Sequence, residues 1–454
     1  MPLSVARRKQ LFNACDPASP LDQGDPRLVD VDAIGGRGSE EGEDWVSHVS
    51  NGFALADGAL RILVSGLPGT GKSTELRRLQ RRLENDEGGG YLVCLIDAEE
   101  HLDLRNSVEA SDVLLAVVIG LEAALEEAEG RSVAKPAATA GVFGRIWDDL
   151  LNRDVSLKEV SATLPLGSVK GELKQNPELR SRVRAALRKD RFQFQRQVHD
   201  ACVGLASRAQ KLERQGVVVL FDSLEKLRGD SSTFDAVLAS AERMFLGGAP
   251  DLALPVHALY TVPPALTLRI RGIEVLPMLK VRDRDGAAYA PGVEAARALI
   301  ARRIPDDDLD WLIVPAEREA LIHEIILMSG GYPRDLVRIL RLLVQATKHP
   351  LSREAVERIL VSRAGEIREI AAGQGVPGKV LLARVHAHKR LEPEAGELPI
   401  ADRFFAQSLI LGYTNGERWV DVHPAVLDLP GFAELVEVQR NASVPAPTPT
   451  APPT

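Results

Sequence analysis

The sequence predicts an α/β fold: a parallel sheet with helices on both faces, followed by a small helical domain and a winged helix. Three observations predict it. Short apolar runs alternate with helical stretches over the first 285 residues. A glycine-rich turn with the spacing Gly66-x4-Gly71-Lys72-Ser73 lies between one such strand and one such helix. From about residue 290 the strands stop, and helices continue until a single Asn415-Gly416 turn signal.

Taken in order, the first forty residues are rich in Asp, Pro and Gly and predict an extended N-terminal arm ending in "VDAIGGRG". "RILVS" (61–65) is a short buried strand. In "STELRRLQRRLEN", Leu76, Leu79 and Leu83 fall on one helical face. "GYLVCLIDAEE" (90–100) reads as a second buried strand, with Cys94 in the core and acids at its end. The helix "SDVLLAVVIGLEAALEEA" follows. Residues 130–190 break the rhythm and read as an insertion, in which "VSLKEVSATLPLGSVKGELK" alternates like a hairpin. "VVVLFD" (217–222), "HALYTV" (257–262) and "IEVLPMLKV" (273–281) complete the strands. Unbroken apolar strands separated by helices are the pattern of a parallel sheet covered on both faces. "RDLVRILRLLVQATK" is one of three helices that follow, with Leu336, Ile339, Leu340 and Leu343 on one face. The expected division is an arm over 1–40, a sheet domain over 41–285 and a helical domain over 286–350. A winged helix over 351–440 and a disordered Pro-rich tail over 441–454 complete it.

Composition bounds the function. A net charge of −8 excludes a general nucleic-acid polycation and leaves a local basic face open. The three cysteines lie far apart, as in neither a disulfide framework nor a zinc knuckle. The N-terminus lacks a signal-peptide run, and no apolar run is long enough to span a bilayer. A cytoplasmic protein without membrane partners is expected.

The strand–turn–helix context makes the glycine-rich turn a P-loop, Gly66, Leu67, Pro68, Gly69, Thr70, Gly71, Lys72, Ser73 and Thr74. Glycines let successive N–H groups converge on phosphate oxygens, and the helix that starts near Lys72 adds its dipole. Lys72 would bridge the β- and γ-phosphates of ATP, and the Ser73 hydroxyl would ligate Mg²⁺. An apolar strand ending in Asp222 supplies the second Mg²⁺ residue. Glu225, three residues on, is the nearest acid that could orient and deprotonate water. Of the competing sites, "VHAHKR" pairs His386 and His388 with Lys389 and Arg390, a basic helix lacking further metal ligands nearby.

The order of "GGRG", P-loop, "VVVLFDSLEKL", "LYTV", "SGGYPRDLVRIL" and hairpin resembles the STAND branch of AAA+-type ATPases. It is also similar in layout to the Orc/Cdc6 initiator ATPases. The resemblance covers roughly residues 30 to 430. It implies that Ile34, Gly36 and Arg37 hold the adenine base and that Thr261 senses the γ-phosphate. It implies that Pro333 packs on the nucleotide, that Arg334 reaches the γ-phosphate from a helical lid, and that Arg269 or Arg271 serves a neighbouring subunit as arginine finger. Asp222 is followed by Ser223 rather than Glu, which departs from the AAA+ unfoldases and fits a switch better than a processive motor.

The expectation is an ATP- and Mg²⁺-dependent ATPase switch that controls self-assembly or a separate effector protein. Bacterial signalling or anti-phage defence is the setting the resemblance implies. A DNA-binding initiator or loader using the winged helix, and a non-hydrolysing nucleotide-gated scaffold, are the alternatives.

Overall fold

The computed structural model describes residues 3–22, 24–38, 44–85, 89–130, 141–153, 166–227, 229–230 and 232–442. The chain divides into two compact units. One comprises residues 20–28 and 42–276; the other comprises 1–19, 29–41 and 277–454.

The first unit is built on five parallel strands: β1 (Arg61–Ser65), β2 (Leu92–Asp97), β3 (Val217–Asp222), β4 (His257–Thr261) and β5 (Ile273–Val275). Their order across the sheet is β2-β3-β4-β1-β5. In this order β4 lies between β1 and β3. Strand alternation sends side chains to two covered faces. On one face Ile62, Val64, Val93, Val218, Leu220 and Leu259 pack with Leu76, Leu79 and Leu83 of the helix Lys72–Glu84. Val46, Val49 and Phe53 of the helix Trp45–Leu55 close that layer. On the other face lies the helix Ala110–Ala128, whose Gly120 sits so close to Cys94 and Ile96 that a Cβ would meet Ile96 carbons at 2.8 Å. Burial pushes the Cys94 thiol up to about 12, so this cysteine is inert core.

Two local expectations change here. Leu166–Gln175 is helical, not part of a hairpin; the earlier part of that stretch lies outside the described residues. The fifth strand also ends at Val275 rather than running to 281. Leu276 still donates to Ser65, but Pro277 has no N–H to give. Met278, Leu279 and Lys280 then donate to Gly412, Gly331 and Gly36 of the second unit.

The second unit is mainly helical. Its core gathers Ile300, Leu312, Ile322, Ile325, Leu336, Leu340 and Leu343 from the helices Ala290–Ala301, Asp306–Leu312, Arg318–Met328 and Pro333–Gln345. The N-terminus is not an extended arm. Residues Val5–Ala14 form a helix capped by Ser4, whose side chain accepts from the Arg7 N–H. Leu11 and Cys15 enter the same core, Arg7 pairs with Asp308 at 2.5 Å, and Arg8 donates to the carbonyls of Val344 and Ala346. The helices Arg353–Ala372, Gly375–His388 and Leu398–Ala406 lead to an antiparallel hairpin, β6 (Ile410–Asn415) and β7 (Glu417–Val422). Gly416 makes its turn at φ 80°, a conformation open to glycine. The helix Phe432–Asn441 then packs on Gly375–His388. The Pro-rich tail lies outside the described residues.

Candidate functional site

The parallel strands bring the carboxyl ends of β1, β3 and β4 together, where open sheets of this class form their ligand crevice. The glycine-rich turn leaves β1 at Ser65, whose hydroxyl donates to the Val262 carbonyl at 3.0 Å and ties β1 to β4. Gly69 and Gly71 adopt φ of 94° and 101°, left-handed values that curl the backbone. Gly66 lies against its surroundings: a Cβ there would stand 3.0 Å from the Leu276 carbonyl and 3.2 Å from the Thr70 hydroxyl. Gly71 caps the helix Lys72–Glu84 without a side chain, so the first N–H groups of that helix are left for another acceptor.

Lys72 is 4% exposed. Its Nζ donates to the carbonyls of Gly66 at 2.7 Å and Leu67 at 3.1 Å, and stands 3.4 Å from Glu225 Oε1. The ammonium therefore folds back onto its own loop. Ser73 hydrogen-bonds the Asp222 carboxylate, joining the two residues expected to share Mg²⁺. Burial and the neighbouring Glu225 push the Asp222 carboxyl up to about 6, against the pull of Ser73, the Ser223 N–H and Lys72. Glu225 is 6% exposed, and its Oε2 has no hydrogen-bond partner among the described residues. Two buried carboxylates against one ammonium leave a site short of positive charge. A divalent cation fits that deficit, and the curled backbone fits phosphate oxygens.

Two features that the sequence does not advertise hold Glu225 there. Ser223 takes φ 68°, rare for a residue with a Cβ, and its N–H donates to Asp222 Oδ1 at 2.7 Å. This kink turns the chain from β3 into the short helical turn Leu224–Lys226. Thr261, fully buried, accepts from the Leu224 N–H at 3.0 Å and donates to the Phe221 carbonyl at 3.3 Å. Its hydroxyl is thus engaged with the backbone on both sides of Asp222. Segment 20–28 was also unmarked in the sequence. The Leu21 N–H donates to Thr74 Oγ1 at 3.2 Å, and Asp22 pairs with Arg77 at 2.8 Å, strapping this segment to the helix of the phosphate loop.

The remaining predicted residues are divided between the two units. Ile34, Gly36 and Arg37 belong to the second unit, with Pro333 and Arg334. Arg37 is buried and paired with Asp32 at 2.8 Å, while the Gly36 carbonyl accepts from the Lys280 N–H. Pro333 is the first residue of its helix, where the missing N–H costs nothing. Behind Arg334 lies a cluster no motif signalled. Asp335 is buried, with Arg363 Nε at 2.6 Å and His423 Nε2 at 3.5 Å. The Ala425 N–H donates to His423 Nδ1, which puts the ring proton on Nε2, facing Asp335. In the first unit, Arg269 bonds the Ala265 carbonyl and stands 3.2 Å from Glu242, and Arg271 is exposed. His386 and Lys389 both engage Asp421, so that basic stretch is partly neutralised.

Among the described residues no group of three or more His, Cys, Asp or Glu could hold a metal ion, and no helix is long and apolar enough to cross a membrane. No protein-family model matches the chain, and no curated protein matches it. Among solved structures it is similar to the Walker-type ATPase PABY2304 of Pyrococcus abyssi, at 13% identity and a TM-score of 0.42, over 93% of this chain and 99% of that one. It is also similar to Cdc6p from Pyrobaculum aerophilum, at 10% identity and a TM-score of 0.31, over 94% of this chain and 98% of that one. Both likenesses are distant, and the functional reading rests on the chain's own residues.

Proposed function

We propose that this chain is a Mg²⁺-dependent ATPase that works as a molecular switch, its nucleotide state controlling self-assembly or an effector protein. The observation that carries the reading is the convergence of Lys72, Ser73, Asp222 and Glu225 at the carboxyl ends of β1 and β3. ATP with Mg²⁺, when bound, supplies the scissile phosphoanhydride and the positive charge the two carboxylates lack. The N–H groups of Gly69 and of Gly71 to Thr74 would cradle phosphate oxygens, while that of Thr70 donates to the Leu67 carbonyl. Lys72 leaves the Gly66 and Leu67 carbonyls to neutralise charge developing at the transferred phosphoryl group. Ser73 and Asp222 hold the cation. Glu225 orients the attacking water and accepts its proton, with Thr261 and the Ser223 kink fixing its position.

Pro333 and Arg334 are proposed as the lid's contribution, with Arg334 carrying charge to the γ-phosphate. Arg269 and Arg271 are the candidates for an arginine finger, and Ile34, Gly36 and Arg37 for the base-side loop. A switch in the manner of STAND proteins, including a place in signalling or defence, is the finer form of this proposal. The alternative is a DNA-bound loader acting through the hairpin and its flanking helices. The Asp421 partners of His386 and Lys389 reduce the charge that such a surface would offer to phosphates.

The test is calorimetry and a phosphate-release assay on three proteins. Lys72→Ala should lose ATP binding. Glu225→Gln should bind ATP as the wild type does but turn over on the order of 10²–10⁴-fold more slowly. Normal affinity in Lys72→Ala would overturn the site, and normal turnover in Glu225→Gln would remove Glu225 from the chemistry.

A further inference from the structure

A second concave site lies away from the phosphate loop, in the same unit. It is a cleft of about 410 Å³ between the start of helix Ala110–Ala128, the helices Pro177–Lys189 and Arg191–Lys211, and the helix Phe234–Phe245. That volume is in the range of small-molecule sites. None of its lining residues belongs to the P-loop, to the 222–226 turn or to Thr261.

The cleft has two kinds of wall. Its floor is apolar: Leu114, Leu187, Phe194 and Met244 are each less than a tenth exposed. Its rim is basic: Arg188, Arg191 and Arg243 line it against the carboxylates of Glu109 and Asp251. Arg188 pairs with Glu109 and Arg191 with Asp251, but both arginines are more than half exposed, so these pairs hold weakly and can be redirected. Arg243 has no hydrogen-bond or ion-pair partner among the described residues, and neither has the Ser111 hydroxyl. The start of helix Ala110–Ala128 is not what attracts a ligand. Its capping box, Glu109 with Asp112, engages the N–H groups of those two residues.

The walls are also fixed in place. The Val108 N–H donates to the Ser240 hydroxyl at 3.2 Å, and Ser107 donates to the Ala236 carbonyl, tying the loop before the first helix to the last. Arg184 donates to the Ser107 carbonyl at 2.9 Å and so ties the helix Pro177–Lys189 to the same loop. A rigid cleft with an apolar floor, a surplus arginine and a free hydroxyl matches one ligand chemistry: an apolar or aromatic body with an anionic head.

We propose that this cleft binds a small amphipathic anion, its apolar body against Phe194 and Met244 and its carboxylate, sulfonate or phosphate head on Arg243 and Ser111. The site is independent of the nucleotide. The test titrates the full chain with the aromatic sulfonate anilinonaphthalenesulfonate, followed by fluorescence. Wild type should bind it saturably, once per chain, with saturating Mg²⁺-ATP failing to displace it. Arg243→Glu should weaken binding by about tenfold or more by reversing the charge that faces the anionic head. Ser111→Trp should do the same by filling the mouth. Circular dichroism melting confirms that both variants fold. Binding as in wild type by either folded variant, competitive displacement by ATP, or uptake without saturation overturns the proposal.

Discussion

Asp222 shows at the scale of one residue how a proposed site conflicts with stability. Its carboxyl, raised to about 6 by burial and by Glu225, sits above its ordinary value near 4. The folded apo protein therefore holds a proton there that the unfolded chain releases earlier. The penalty for ionising it is absent below pH ~4, grows as pH rises to about 6 and is complete above. Asp222→Asn should stabilise the apo protein by ~1–3 kcal/mol at pH 8 and by little at pH 4, read from melting curves. The same variant should lose Mg²⁺-dependent ATP binding. A second prediction at this scale concerns Thr261. Thr261→Val orphans the buried Leu224 N–H, at ~1–3 kcal/mol, and frees the turn that carries Glu225. Turnover should fall while ATP affinity holds, and Thr261→Ser should restore it. Equal loss in both variants would mean that the hydroxyl does not position Glu225.

At the scale of elements, the Asp335 cluster fixes the start of the helix Pro333–Gln345 to two other segments, one bearing Arg363 and one bearing His423. Burial alone would raise the Asp335 carboxyl, but His423 and Arg363 together hold it below its ordinary value. A depressed carboxyl contributes stability at pH above its unfolded value, and that contribution is lost as pH falls through the folded value. Asp335→Asn should therefore cost ~1–3 kcal/mol at pH 7, because Arg363 loses its buried partner and keeps only Glu366, and the difference should shrink toward pH 3. Chemical denaturation at the two pH values checks it. Local rules made other elements readable. The candidate phosphate loop is marked by glycines at fixed spacing between a strand and a helix, and β3 by an unbroken apolar run ending in an acid. The N-terminal helix did not, because residues 5–14 lack a strong apolar stripe and gain their burial from Leu11 and Cys15 meeting a core made 300 residues later.

At the scale of the whole molecule, the switch reading predicts an assembly that follows the nucleotide. Light scattering should show a larger particle with Mg²⁺-ATP than without. Glu225→Gln should keep that particle where the wild type loses it as ATP is consumed. An unchanged mass in both, with ATP bound, would leave control of a separate effector as the surviving form of the proposal. Binding to duplex DNA at low salt that declines steeply as salt rises would favour the loader reading instead.

By itself the sequence determined the sheet, the phosphate loop, the acid at the end of β3 and the hairpin at Gly416. Each of these is written in residues close together along the chain, where spacing, apolar runs and turn chemistry act directly. Only the tertiary structure decided that Lys72 folds back on Gly66 and Leu67, that Ser223 kinks left-handed and that Thr261 clamps the turn bearing Glu225. It also decided that segment 20–28 straps the loop's helix, that Asp335 meets Arg363 and His423, and that four helices leave a basic cleft. Apart from the Lys72 fold-back and the Ser223 kink, which are local, these contacts join residues far apart in sequence. Their energies come from burial and from satisfying polar groups that only the folded chain brings within reach.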